Sequence, residues 1–482
     1  MKTKILLLLS IAISNVVYSQ SVTISPGSTD NPAMIDVSNS QLKGFKLPTI
    51  STVERLNLAN MTNGFTVFDY DKKGLCTYYN QVWYCSTKDT LKETLTSQTV
   101  FADDSTANDY FGHAVAIAGT ESVIGAAQAE VSTNTNQGAV YIFSYNANAK
   151  TWSQTQKLTA TDGAANDNFG ASVALRDNYL IVGAPGANSG KGAVYVYRKV
   201  NTVWTQDAKI VASDGLADDH FGVSVDFRMS STPPASTIVV IGASGYDKPS
   251  GSNGGGSQLI DFGATYVYSR GSSSWTLQQK IVESSGAEND GIGMIVRFKD
   301  AEMLVTAKPN AIVNAPASRY GKIYTYKKSF SSWGITQTLN GSSNDHIGGN
   351  IAIDGSFMVS GSGTTQTVRV YKINNDIWNT GNIAVLNSPY TGTAFGGSVA
   401  ISGDKVLIRD TGSNYGLTFK CTNATNNTWT AFEIMPFQGF CVHDNVDGHI
   451  TAMQNGLFIA GEGSTSCTNK ASKIVFGSYN NN

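Results

Sequence analysis

The sequence predicts an all-β fold: a seven-bladed β-propeller behind a small N-terminal α+β or β-meander module. Three observations predict it. An aromatic-glycine segment recurs at roughly 50–70-residue intervals, each recurrence holds four strand-like stretches, and the composition suits short strands joined by turns. The 482 residues include 48 Gly but 11 Pro, with 21 Tyr and 20 Phe, and aromatic residues favour strands while Gly favours turns. Charged residues make up 15% and the net charge is −2. That balance gives neither nucleic acid nor an anionic membrane a field to bind.

The elements follow in chain order. Lys2 and Lys4 precede an apolar run, Ile5–Ile13, and then Val17-Tyr18-Ser19. A run this short with a basic start predicts a secretory signal over residues 1–19, cleaved before Gln20. No Cys follows that point, so no lipid anchor is expected there. No later stretch is long and apolar enough for a membrane span. The expected location is therefore secreted, extracellular or at the cell surface.

Residues 20–93 read as a separate module with its linker at Thr87–Thr94. A short helix is expected at Val53–Asn60, followed by aromatic strands at Phe65–Asp69, Leu75–Tyr79 and Val82–Cys85. If Asn80-Gln81 is the tip of a hairpin, Cys76 faces Cys85 within disulfide range. The stretch AMIDVSNSQLKGFKLPT (Ala33–Thr49) together with these strands resembles a small module found on many secreted Bacteroidetes proteins. That resemblance implies a surface location and no particular activity.

Residues 94–482 carry the repeats. Asn108–Ile117 (NDYFGHAVAI), Asn166–Leu175 (NDNFGASVAL) and Asp218–Phe227 (DDHFGVSVDF) are strong copies. Asn289–Phe298, Asn344–Ile353 and Gly392–Ile401 are weaker, and a seventh lies near Val446–Met453. Each strong copy continues into an apolar second strand such as Leu180–Ala184, a third such as Gly192–Tyr197, and a fourth opening on Trp. Small residues in the first strand suit crowding at the ring axis. Apolar residues on both faces of the second suit a strand covered on both sides. Each Phe is expected to wedge between blades, and its Gly to allow close backbone approach.

Trp152, Trp204, Trp275, Trp333, Trp378 and Trp429 mark six fourth strands, against seven copies of the first three. Val100 stands eleven residues before Phe111, as Leu158 stands before Phe169 and Ile210 before Phe221. Residues near Ser97–Phe101 are therefore expected to complete the last blade and remove an exposed sheet edge.

Phe-Gly followed by an apolar run into Gly-Ala-Pro, as in NDNFG and Leu180–Pro185, resembles the FG-GAP repeat of integrin α-subunit propellers. Lys157–Gly170 looks especially like the bacterial FG-GAP proteins. The resemblance implies an extracellular propeller presenting loops for adhesion or ligand binding. Integrin-type units often hold calcium in an Asp-rich loop between the first and second strands. Here Ala174–Tyr179 and Ile401–Lys405 are plain turns, without the oxygen ligands that calcium needs. No cofactor is expected, and calcium enters only as a possibility for the acidic connectors described next.

Those connectors cluster Asp103, Asp104 and Asp109; Asp162, Asn166 and Asp167; and Asp214, Asp218 and Asp219. Asx residues cap turns by bonding their own backbone. The same nine residues could instead form a polar ring on one face that binds a cation or sugar hydroxyls. His113, His220, His346, His443 and His449 lack the spacing of zinc ligands and read as turn residues. No nucleophile elbow, zinc-protease helix, phosphate loop or dinucleotide fingerprint is present, so no catalytic residue is assigned. Of the remaining cysteines, Cys441 with Cys467 is the expected second bridge, leaving Cys421 over. The expected function is non-enzymatic recognition of an extracellular glycan or surface protein through the propeller loops. The alternative is a polysaccharide lyase or glycosidase on the same scaffold, marked by two converging carboxylates.

Overall fold

The computed structural model describes residues 47–50, 58, 62–69, 74–79 and 82–87, and most of 95–479. Besides a few shorter gaps, the segments 105–108, 230–236, 250–259, 284–289, 309–320, 342–346, 363–366, 389–394, 411–414, 437–450 and 462–473 lie outside the described residues. The signal segment, the helix expected at Val53–Asn60, and Cys441 and Cys467 fall among those outside. The chain divides into two compact units, Met1–Thr90 and Leu91–Asn482.

In the first unit the described residues form one four-stranded sheet. Thr66–Asp69, Gly74–Tyr79 and Val82–Thr87 pair antiparallel, and Thr49–Ile50 adds in parallel to Thr66–Asp69. The parallel strand was not expected from sequence, because two residues carry no periodicity. Cys76, fully buried, stands opposite Cys85 in the register.

Every described sheet of the second unit is antiparallel, and there are seven of them. Sheet 1 is Phe111–Ala118, Glu121–Ala126, Ala139–Asn146 and Thr151–Leu158, from inside to outside. The first strands of the next five are Ser172–Arg176, Phe221–Met229, Ile295–Asp300, Asn350–Asp354 and Phe395–Ser402. Sheet 7 holds Thr451–Gln454, Leu457–Gly461 and Ile474–Tyr479, and its outer strand is Leu95–Val100 from the opposite end of the unit. All six residues of that strand pair in register, from Leu95 with Tyr479 to Val100 with Ile474. In sheet 5 the outer strand is split into Ile377–Trp378 and Ala384–Asn387. Each first strand packs beside the first strands of the two neighbouring sheets, and that of sheet 7 packs against that of sheet 1. The ring is closed.

Apolar packing lies between the sheets. One cluster joins Val123, Ile142 and Leu158 of sheet 1 to Phe169, Leu180 and Tyr195 of sheet 2. Another joins Val100, Ile459 and Phe476 of sheet 7 to Phe111, Ile124 and Tyr141 of sheet 1. Phe111, Phe169 and Phe221 are fully buried, each edge-on to a Tyr of its own third strand at 5.4, 5.3 and 5.2 Å. The glycines explain the tight spacing. Gly170 has φ +94° and sets its carbonyl against Gly125 of the preceding sheet, where an added Cβ would lie 2.0 Å from that oxygen. No side chain fits there.

The outer strands are coupled by a side-chain clamp. Gln156 Oε1 accepts the Trp204 backbone N–H at 2.9 Å, and its Nε2 donates to the Trp204 carbonyl at 2.8 Å. Gln98 does the same to Trp152, Gln279 to Trp333 and Gln337 to Trp378. Each clamp runs from one outer strand to that of the next sheet.

Candidate functional site

The nine acidic-connector residues fall into three sets. Asp104, Asp162 and Asp214 are straps between sheets. Asp162 Oδ1 accepts the Tyr195 hydroxyl at 2.9 Å and its Oδ2 the Lys209 ammonium at 2.6 Å, both from the following sheet. Asp214 receives Tyr266 at 3.2 Å and Lys280 at 2.6 Å, and Asp104 receives Tyr141 and Lys157. The bond from Lys209 holds Asp162 below the ordinary carboxylate range. For Asp104 and Asp214 burial pulls upward, but the bonds from Lys and Tyr prevail and the net shift is down. Burial pushes the three phenols up.

Asp109, Asp167 and Asp219 form the second set and are buried. Asp167 accepts the backbone N–H of Ala164 at 2.9 Å and Asp219 that of Leu216 at 2.8 Å. Each thus closes its own connector turn, and burial raises both carboxyls. Asp290, the fourth residue of this kind, is paired with Lys308 at 2.6 Å, both almost fully buried. The third set, Asp103, Asn166 and Asp218, is exposed. Asn166 and Asp218 have φ +65° and +64°, a conformation that Asx side chains tolerate, and Asn166 accepts from Asn136 at 3.0 Å. Among the described residues no group of three or more His, Cys, Asp or Glu is placed to hold a metal ion. His113 is partly buried beside Tyr110 while His220 is exposed, and the two belong to different sheets.

A cavity of about 230 Å³ lies on the ring axis, lined by inner strands from sheets 1 to 7. Its lining comes from the later residues of those strands, so it lies toward the face opposite the acidic connectors. Five charged side chains reach it: Arg176, Asp226, Arg228, Arg297 and Asp354. Asp226 is held by the backbone N–H groups of Phe227 and Phe298, both at 2.8 Å, and by Arg176 at 3.3 Å. Arg176 Nε also donates to Phe227 O at 2.9 Å, and Arg228 Nη2 to Phe298 O at 3.2 Å. Arg297 donates to Ile351 O and to Ser224 Oγ, at 3.2 and 3.4 Å. Asp354 accepts the Gly403 N–H at 2.7 Å.

Sequence reasoning missed this site, although its signal stood in the repeat itself. Counting Phe or Ile of the Phe-Gly motif as one, the sixth position is Ala116, Ala174, Ala352 and Ala400 in four copies. Asp226 and Arg297 replace that Ala in the other two. The eighth position is Ala118, Arg176, Arg228, Lys299, Asp354 and Ser402. The ring is built from what recurs in the repeat, and the cavity from what does not.

The family described as FG-GAP repeat matches residues 96–143, 152–197 and 204–268. The chain thus carries FG-GAP repeats from the strand that closes the ring through the third strand of sheet 3. Among solved structures, a protein from Lactobacillus plantarum is similar at 14% identity and TM-score 0.44, over 71% of this chain and 88% of that one. A Bacteroides fragilis protein assigned provisionally as a 6-phosphogluconolactonase is similar at 11% identity and TM-score 0.45, over 73% and 96% of the two chains. A Bacteroides uniformis protein with the same provisional assignment is similar at 11% identity and TM-score 0.42, over 77% and 92%. No curated protein matches.

Proposed function

We propose that this FG-GAP repeat chain is an exported seven-bladed β-propeller that acts as a non-catalytic recognition module for an extracellular glycan or surface protein. FG-GAP repeats are typical of extracellular proteins, and no helix among the described residues is long and apolar enough to cross a membrane. The observation that carries the reading is how the carboxylates are used. Asp104, Asp162 and Asp214 strap sheets together, Asp167 and Asp219 close turns, and Asp226 and Asp354 in the cavity accept backbone N–H groups. A glycosidase needs one carboxyl free to give a proton and another free to receive water or sugar. These are occupied in holding the ring, which presents its loops and axial mouth as a fixed surface.

The test pairs a glycan array, run with calcium and with chelator, with a reducing-end assay on the bound glycans. Binding that survives chelation with no release of reducing ends is expected. New reducing ends would overturn the non-catalytic reading.

A further inference from the structure

The charges of the axial cavity are unequal in number and in engagement. Three guanidiniums, Arg176, Arg228 and Arg297, stand against two carboxylates, Asp226 and Asp354. Both oxygens of Asp226 already accept backbone N–H groups, and Asp354 accepts another. Arg228 bonds a neutral oxygen, the Phe298 carbonyl. The bond of Arg228 to Phe298 needs one of five N–H donors in a planar fork. Desolvation is the largest influence on Arg297, opposed by Asp226 and aided by repulsion from Arg176, and brings its pKa down to about 10. It stays charged at neutral pH and adds to the positive field beside Arg228.

We propose that this cavity is a carboxylate site for one uronate unit of an acidic glycan, with the carboxylate held by Arg228 and flanked by Arg176 and Arg297. This deepens the recognition reading and rests on it. A planar carboxylate matches the guanidinium fork in two parallel bonds. Ala116, Ala174, Ala352 and Ala400, the small sixth-position residues of four sheets, leave the axial space a sugar ring would occupy. At about 230 Å³ the cavity is smaller than most ligand pockets, which suits a single ring over a longer segment.

Titration calorimetry on the full chain with glucuronate, glucose and N-acetylaspartate tests this. Saturable one-site binding of glucuronate is expected, at least about tenfold tighter than glucose and weakening as salt is raised. Arg228→Gln is expected to lose about tenfold or more in affinity with its thermal midpoint little changed. Arg228→Lys keeps the charge without the fork and is expected to lose less. Glucuronate binding that is absent, matched by glucose or untouched in both variants overturns the assignment, as does tighter binding of N-acetylaspartate. A neutral glycan found on the array while glucuronate is ignored removes the cavity site and leaves the recognition reading standing. Reducing-end release removes the recognition reading instead.

Discussion

The glutamine clamp makes the sharpest prediction about how the ring is held. Gln156 spans two sheets with bonds of 2.8 and 2.9 Å to the backbone of Trp204, a residue almost fully buried. Each such bond contributes about 1 kcal/mol net, and orphaned buried partners add to the loss. Gln156→Ala is therefore expected to cost about 2 kcal/mol. For a unit running from Leu91 to Asn482, an unfolding entropy of about 2 cal/mol/K per residue turns that into about 2–3 °C. Among the described residues the junction between sheets 2 and 3 carries no such clamp, which supplies the converse. Gln98, Gln156, Gln279 and Gln337 pair with Phe476, Ile142, Val267 and Thr325 of their third strands, and Ala208 holds the same register opposite Val196. Ala208→Gln can reach the backbone of Trp275. After about 1–2 kcal/mol of side-chain ordering, its gain is expected to be below about 1 kcal/mol, or roughly 1 °C. Differential scanning fluorimetry with equilibrium denaturation reads both. An unchanged midpoint in Gln156→Ala together with a lowered one in Ala208→Gln would refute the clamp as a stabilising device.

Three further outcomes are expected. Desolvation lowers the pKa of His113 to about 4, against an ordinary 6.5. Its contribution is then complete above pH 6.5 and is lost as pH falls toward 4, by at most about 3 kcal/mol; His113→Gln should flatten the denaturation midpoint across that window, and an unflattened curve counts against it. Deleting residues 97–101 removes most of the outer strand of sheet 7 and should broaden thermal unfolding, whereas an unaltered melt would show that the ring does not depend on its closure. Cys76 and Cys85 are expected to form a disulfide, seen as a reduction-sensitive link between their peptides in mass spectrometry, and free thiols at both positions would exclude it.

The ring was legible in the sequence because its constraints act within one strand and recur. A residue wedged between sheets must be large, so Phe111, Phe169 and Phe221 stand out. A strand covered on both faces must be apolar, and Leu180–Ala184 is buried throughout. A carbonyl packed on a neighbour needs Gly, as at Gly125 and Gly170. The clamps escaped notice because a Gln on an outer strand looks like ordinary solvent-facing polarity, and its partner is the backbone of a residue about 50 positions away. The acidic connectors were visible as a cluster, but their role was not. Whether Asp162 turns to solvent or to Tyr195 and Lys209 depends on where the next sheet sits.

The contrast between the two faces bears on where binding belongs. The acidic connectors repeat from copy to copy, and what repeats in a closed ring serves every junction alike. A ligand that meets the axis, in contrast, meets all sheets at once and needs them to differ. At the sixth and eighth positions of the first strand, small residues in some copies leave the axial space, while Arg176, Asp226, Arg228 and Arg297 in neighbouring copies point charge into it. Charged side chains at a crowded, partly desolvated axis cost stability that Ala or Ser would not. The three Phe-Gly copies that match the family most clearly include sheets 2 and 3, which supply Arg176, Asp226 and Arg228. Decay of the repeat therefore does not account for these residues, because they interrupt it where it is otherwise best kept. On the axial-site proposal, charge placed against the demands of packing within intact repeats serves a ligand.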